Sequence, residues 1–226
     1  MRPVLTLLAG MLLASAAHAL SLADISGKDA SGGLKEALTQ GAAKGVDLLG
    51  RQDGFLGNPR VRIPLPESVQ KVEGMMRGLG MGKQVDELIT AMNRAAEAAV
   101  PQAKGLLVSA IKQMTVEDAK GILSGGEDSA TQYFRRTTSG PLAEKFRPVV
   151  HSAIARVKLA EKYDQFAGKA VKFGLVREQD AHLENYVTQK TLDGLYLMIA
   201  DEEKAIRKNP AEAVGRLAKQ VFGALN

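Results

Sequence analysis

Lys190 and Asp193 have the types and spacing that first suggest chemistry. They stand three apart in KTLDGLYLMIADEEK, so a helix would bring an ammonium and a carboxylate onto one surface. At about 100° per residue, Lys190 falls within about 40° of Leu183, Gly194 and Leu197, inside the apolar arc of its helix. A charge placed there must be paired, or its burial costs several kcal/mol. The expectation is a buried or cleft-lining polar cluster of Lys190 and Asp193. Arg156, on a face with Ala160, Tyr163 and Ala167, is its third member. Such a cluster serves either as a structural ion pair with a snorkelling side chain or as the polar anchor of a helical pocket. Tyr133 and Arg135, in the segment Tyr133-Phe134-Arg135, complete the candidate binding residues.

Other chemistries find less support. Glu178 and His182 sit four apart, and His151 stands alone; no HExxH occurs, so a surface ion pair accounts for them better than a metal site. Ser68/Lys71 and Ser109/Lys112 match S-x-x-K, but neither S-D-N nor K-T-G accompanies them, and a match of this kind arises by chance. G-x-S-x-G, P-loop and dinucleotide fingerprints are missing from the sequence. The chain has no Cys, which removes disulfides, Cys-ligated zinc, iron–sulfur clusters and thiol nucleophiles. Ser124-Gly125-Gly126 at a helix start could cradle an anion with its N–H groups. Glu127 and Asp128 follow at once, however, and Ser124–Glu127 reads better as a capping box. No catalytic residue, metal or cofactor is assigned.

The elements that must position these residues are helical. With 226 residues, 45% of them hydrophobic and 24% charged, the chain can bury a sizeable single core and is not a disordered sequence. Residues 1–19 have the anatomy of a signal peptide. A positive start at Arg2 leads into an apolar run to Ala17, and Ala17-His18-Ala19 supplies small residues for cleavage after Ala19. That run is shorter than the ~20 residues a spanning helix needs. Residues 20–33, small and Gly-rich, read as a flexible leader, and 34–226 as one α-helical domain. Leu34, Leu38, Ala42, Val46 and Leu49 are spaced on one helix face. Pro59, Pro64 and Pro66 forbid a regular helix over 55–68. Val61, Ile63 and Leu65 alternate with polar or proline positions there, the pattern of an extended strap laying one apolar edge on a helical body. Beyond Pro66 the pattern predicts helices at Ser68–Leu79, Lys83–Val100 and on to Met114. Thr115–Asp118 resembles a weaker capping box for a short helix to Leu123. The Ser124 box opens the next helix, with a restart at Ser139-Gly-Pro141 and a kink at Pro148. A long central helix over 180–208 and a last one from Asn209-Pro210 to Phe222 complete an all-α fold, a single helical bundle.

Charge is unevenly placed. Residues 141–177 hold eight basic side chains against three acidic, and 178–203 hold seven acidic against one basic. Antiparallel helices carrying these blocks would attract one another. Within the first block Lys158, Lys162, Lys169 and Lys172 share a face opposite Leu159, Tyr163, Phe166 and Phe173. This is a solvated stripe or a contact for an anionic membrane surface. Nucleic acid is disfavoured as a partner, because the aromatics point away from the lysines.

Three stretches taken together, NPRVRIPLP (58–66), SGGEDSATQYFR (124–135) and KTLDGLYLMIADEEKAIRKNP (190–210), resemble the exported bacterial family designated domain of unknown function 4197. The resemblance implies an all-helical envelope protein and carries over no catalytic or binding residue. The sequence reads as a periplasmic, non-catalytic domain that binds a partner protein or small ligand of the cell envelope. The alternative is a helical carrier of an apolar or anionic lipid. A hydrolase using Lys190 or the carboxylates is less well supported, because no nucleophile–base–orienter triad is visible.

Overall fold

A computed structural model describes residues 26–171, 182–212 and 215–224. The signal-peptide residues 1–19, the acidic partner Glu178 and the lysine Lys172 lie outside them, as does the side chain of Lys169. Among the described residues the fold is all-α, with no helix long and apolar enough to cross a membrane.

The first helix, α1, runs Gly27–Gly50 and begins seven residues before the first predicted apolar position, Leu34. The Ser26 side chain caps it by accepting from the Asp29 N–H at 3.1 Å. Ala30, Ser31 and Gly33 are buried, so residues 27–33 belong to the helix and are no flexible leader. The small residues that suggested mobility are there because α9 (Arg216–Gly223) lies against them. A Cβ at Gly33 would stand 2.5 Å from the Leu217 carbonyl oxygen.

The strap follows. Val61, Ile63 and Leu65 are buried, while Arg62 and Pro64 face solvent, as the alternation predicts. Helix α2 (Glu67–Met76) leads through a wide turn, Arg77–Met81, into α3 (Gly82–Ala99). A single 3₁₀ turn containing Pro101 joins α3 to α4 (Ala103–Gln113). Helix α5 (Val116–Leu123) starts at a complete capping box, with the Thr115 hydroxyl accepting from the Asp118 N–H and the Asp118 carboxylate accepting from the Thr115 N–H.

Two predicted boundaries are corrected. Ser124 ends α5 and caps nothing at its other side, and α6 begins only at Ser129. Helix α6 then runs unbroken to Ile154, through Pro141 and Pro148. The buried series Phe134, Thr138, Leu142, Phe146, Val150 and Ile154 holds it together across the expected restart.

Helix α7 spans Lys158–Val171, and α8 spans Leu183–Lys208. Helix α8 packs on α6, α1 and α3, which makes it the central element, as its apolar sequence predicts. The predicted final helix from Asn209 is reduced to one 3₁₀ turn, Pro210–Glu212, before α9 starts at Arg216.

Candidate functional site

Alpha-helix α8 carries a short solvent-facing arc near its start, flanked by two walls. Asn185, Gln189 and Lys190 are exposed along it. One wall is α6, through Ala143 and Arg147; the other is the strap's Pro64 with Glu67 and Gln70 of α2. Together with Tyr186, Thr188 and Asp193 these residues line an open groove of about 660 Å³. Asn185 to Asp193 spans eight residues, so the arc is about 12 Å long.

The strap wall is fixed by buried polar side chains whose role the sequence did not announce. Asn93 on α3 is fully buried. Its amide oxygen accepts from the Ile63 N–H at 2.8 Å, and its amide nitrogen donates to the carbonyls of Ile63 and Ile89 at 2.9 and 2.8 Å. It therefore satisfies both backbone groups of a strap residue that has no strand neighbour. Glu97, one turn on, accepts from the N–H groups of Phe55 and Leu56, both at 3.0 Å, and from Arg94. The Tyr186 hydroxyl donates to the Pro64 carbonyl at 3.0 Å, and Gln70 donates to that of Leu65 at 2.6 Å. Phe55 fills the space over Gly194, where a Cβ would come within 2.7 Å of the ring.

Of the two positions expected for Lys190, buried or cleft-lining, it takes the second. The strap takes the apolar face beside Gly194, and Lys190, one turn earlier, stands beyond its edge in solvent. Its ammonium lies 5.7 Å from the centre of the Tyr186 ring, a cation–π contact. Asp193 lines the same groove but is engaged elsewhere: Arg135 reaches it at 3.4 Å and Gln189 donates to it at 3.0 Å. The Arg135 guanidinium also lies 4.7 Å over the ring of Tyr196.

The structure thus brings Lys190, Asp193 and Arg135 to one side of the molecule and leaves the other two candidates elsewhere. Arg156 is exposed in the turn between α6 and α7 and not on a helix face, because α6 stops at Ile154. It borders a different groove, with Lys83, Asp86 and Lys158. Tyr133 is buried toward α4, donating to the Ala110 carbonyl at 3.0 Å; its burial pushes the phenol's pKa up.

A second set of residues that sequence reasoning missed holds the end of α6. The buried Glu203 carboxylate accepts from the N–H groups of Ala130 and Thr131, both at 2.9 Å, from the Thr131 hydroxyl at 2.8 Å, and from Arg207. The helix start suspected of cradling an anion holds one, and it is the chain's own. Asp128 is left to accept from Gln132, and Glu127 pairs with Lys204, which holds its carboxyl below the ordinary range.

His151 Nδ1 donates to the Glu184 carboxylate at 2.7 Å, joining α6 to α8, with Arg147 at 3.7 Å from the same carboxylate. This is one place where the basic and acidic blocks meet. His182 is the exposed residue preceding α8. No group of His, Asp and Glu able to hold a metal is found among the described residues. Lys158 and Lys162 are exposed, as the stripe requires of them.

Fold and groove together define an all-α protein in which an extended proline strap is clamped along a helical bundle. A family model described as "Protein of unknown function (DUF4197)" matches residues 24–223, and the chain belongs to that family. No curated protein and no solved structure matches it.

Proposed function

We propose that this is an exported, non-catalytic binding protein of the bacterial cell envelope, and that its site is the groove over the first turns of α8. The signal-peptide anatomy of residues 1–19 supports export, and the cysteine-free sequence suits an oxidising compartment. The observation that carries the binding reading is the convergence at the groove. Three elements distant in sequence (the strap with α2, α6, and α8) supply Glu67, Arg147, Tyr186, Lys190 and Asp193 to one concavity, and buried hydrogen bonds fix its walls. Concave sites with a few convergent polar groups on rigid elements are the usual form of ligand pockets. The charged and amide lining favours a polar ligand over the apolar cargo of a lipid carrier.

Native mass spectrometry of the protein taken from its own periplasm without detergent tests the reading. The expected mass begins at Leu20 and carries an added ligand that denaturation releases. Gln189→Trp, which fills the groove with a bulky ring from an exposed position, should abolish the adduct without lowering stability. An uncleaved chain retained in the cytoplasm would overturn export, and an adduct unaffected by Gln189→Trp would overturn the site.

A further inference from the structure

The groove has more hydrogen-bond donors than it uses, and the surplus defines what it takes. Thr188 lines it and is 4% exposed, yet its hydroxyl oxygen has no hydrogen-bond partner. Other helical threonines here do: Thr138 and Thr191 donate to the carbonyl one turn back at 2.7 Å each. A buried hydroxyl without a partner is uncommon and costs stability. Threonine in a helix has two open χ1 wells, and turning from one to the other exchanges hydroxyl and methyl at the groove wall.

Arg147 is the second surplus donor. Its one carboxylate contact among the described residues is long, 3.7 Å from its Nε to Glu184, and the other oxygen of that carboxylate is held at 2.7 Å by His151. Glu184 lies one helical turn before Thr188, and Arg147 and Thr188 line the same groove. Among the described residues the terminal N–H groups of Arg147 and the exposed Asn185 amide have no acceptor, and the Lys190 ammonium has no carboxylate. The acceptors at the far end are less open, since Asp193 already serves Arg135 and Gln189.

We infer that the corner formed by Thr188, Arg147 and Asn185 seats a single carboxylate, with the amide ladder Asn185–Gln189 following a peptide-like tail. This rests on the binding reading above and names its ligand class: a small peptide or acylated amino acid with a free carboxyl group. Charge chooses carboxylate over phosphate. Arg147 and Lys190 only balance Glu67 and Asp193 along the lining, so every added negative charge is in excess, and a monoanion costs less there than a dianion. Guanidinium and hydroxyl donors match the carboxylate's in-plane lone pairs.

The test is an amide-resolved NMR titration of the full mature protein with N-acetyl-dialanine, its C-terminal carboxamide, inorganic phosphate and diacetylchitobiose. The acid is expected to shift amides from Asn185 to Asp193, and the carboxamide to bind about tenfold more weakly. Thr188→Val keeps the shape and removes the unpaired hydroxyl, so it should fold at least as stably as the parent. It should also lose about tenfold in affinity for the acid while leaving the carboxamide unchanged. Equal binding of acid and carboxamide, or an unaltered Thr188→Val titration, would overturn the inference. So would phosphate shifting the same amides at the same concentration, which would mark an adventitious oxyanion only. Shifts at these amides with diacetylchitobiose alone would sink the carboxylate and leave the groove as a site; silence from every probe counts against both.

Discussion

Asn93→Ala should detach the strap from the bundle and with it one wall of the groove. The side chain is fully buried and makes three hydrogen bonds of 2.8–2.9 Å, two of them to the backbone of Ile63. Truncation removes all three and leaves the Ile63 N–H and C=O facing a small cavity. Each buried group left unsatisfied costs about 1–3 kcal/mol, although a water entering the space recovers part of it. The expected loss is therefore about 3 kcal/mol, taking the middle of the range for two backbone groups with partial rescue. For a chain of this size that is a fall of about 6–12 °C in Tm. Urea denaturation gives the global loss, and hydrogen exchange at the Ile63 amide gives the local one. Asn93→Ala should expose that amide far more than amides of α1, since the strap opens before the bundle unfolds. A loss under about 1 kcal/mol, with the Ile63 amide as protected as in the parent, would refute the clamp.

Glu203→Gln replaces a carboxylate that accepts from two N–H groups of α6 and from Arg207; it should cost about 2–4 kcal/mol in chemical denaturation, because the half-buried Arg207 is left beside a neutral amide. Gly33→Ala should cost about 1–3 kcal/mol by forcing α1 off the Leu217 carbonyl, and faster proteolysis after Lys219 would show that α9 is what lifts away. The Asp118 carboxyl is held below its ordinary value of 3.8 by the Thr115 N–H and hydroxyl. A group whose folded pKa is depressed stabilises fully above its ordinary value and stops doing so as pH falls through the lowered one. Parent and Asp118→Asn should thus differ by about 1 kcal/mol near neutral pH, and thermal melts should converge on acidification below 3.8.

The elements were legible where a single physical rule governs them. Proline removes a backbone donor and fixes φ, so 55–68 had to be non-helical, and its alternating apolar residues had to turn inward. Rules that depend on a neighbour distant in sequence failed. Residues 27–33 look mobile because they are small, and they are small because α9 lies on them. Ser124–Glu127 matches a capping box better than Thr115–Asp118 does, yet only the latter forms. The carboxylate at α6 comes instead from Glu203, 72 residues beyond Thr131. Glu97 carried a faint signal as the one acid in NRAAEAAV; Glu203, third in a run of acids, carried none. For Lys190 the wheel placed the side chain correctly in angle. What it lacked was the knowledge that the strap passes beside Lys190, from Gly194 to Tyr186, and leaves it exposed.

That Lys190 lines the groove and is not buried changes what the groove is for. Had Lys190 and Asp193 been buried together, each would have answered the other and the cluster would have been a structural pair with nothing left to bind. The buried acids of this fold do behave that way: Glu97 and Glu203 spend their oxygens on backbone N–H groups and a neighbouring arginine. Polar groups with capacity to spare collect on the short arc of α8 that the strap and α6 leave uncovered. Among the described residues Lys190 is there without a carboxylate, Arg147 with one distant contact, and Thr188 with no hydrogen-bond partner for its hydroxyl. The strap explains the arrangement. By covering α8 around Gly194 and ending at Pro64, it converts the rest of an otherwise buried helix into a walled groove. Its proline spacing and its clamps on Asn93 and Tyr186 belong to the same device as the residues that face the ligand.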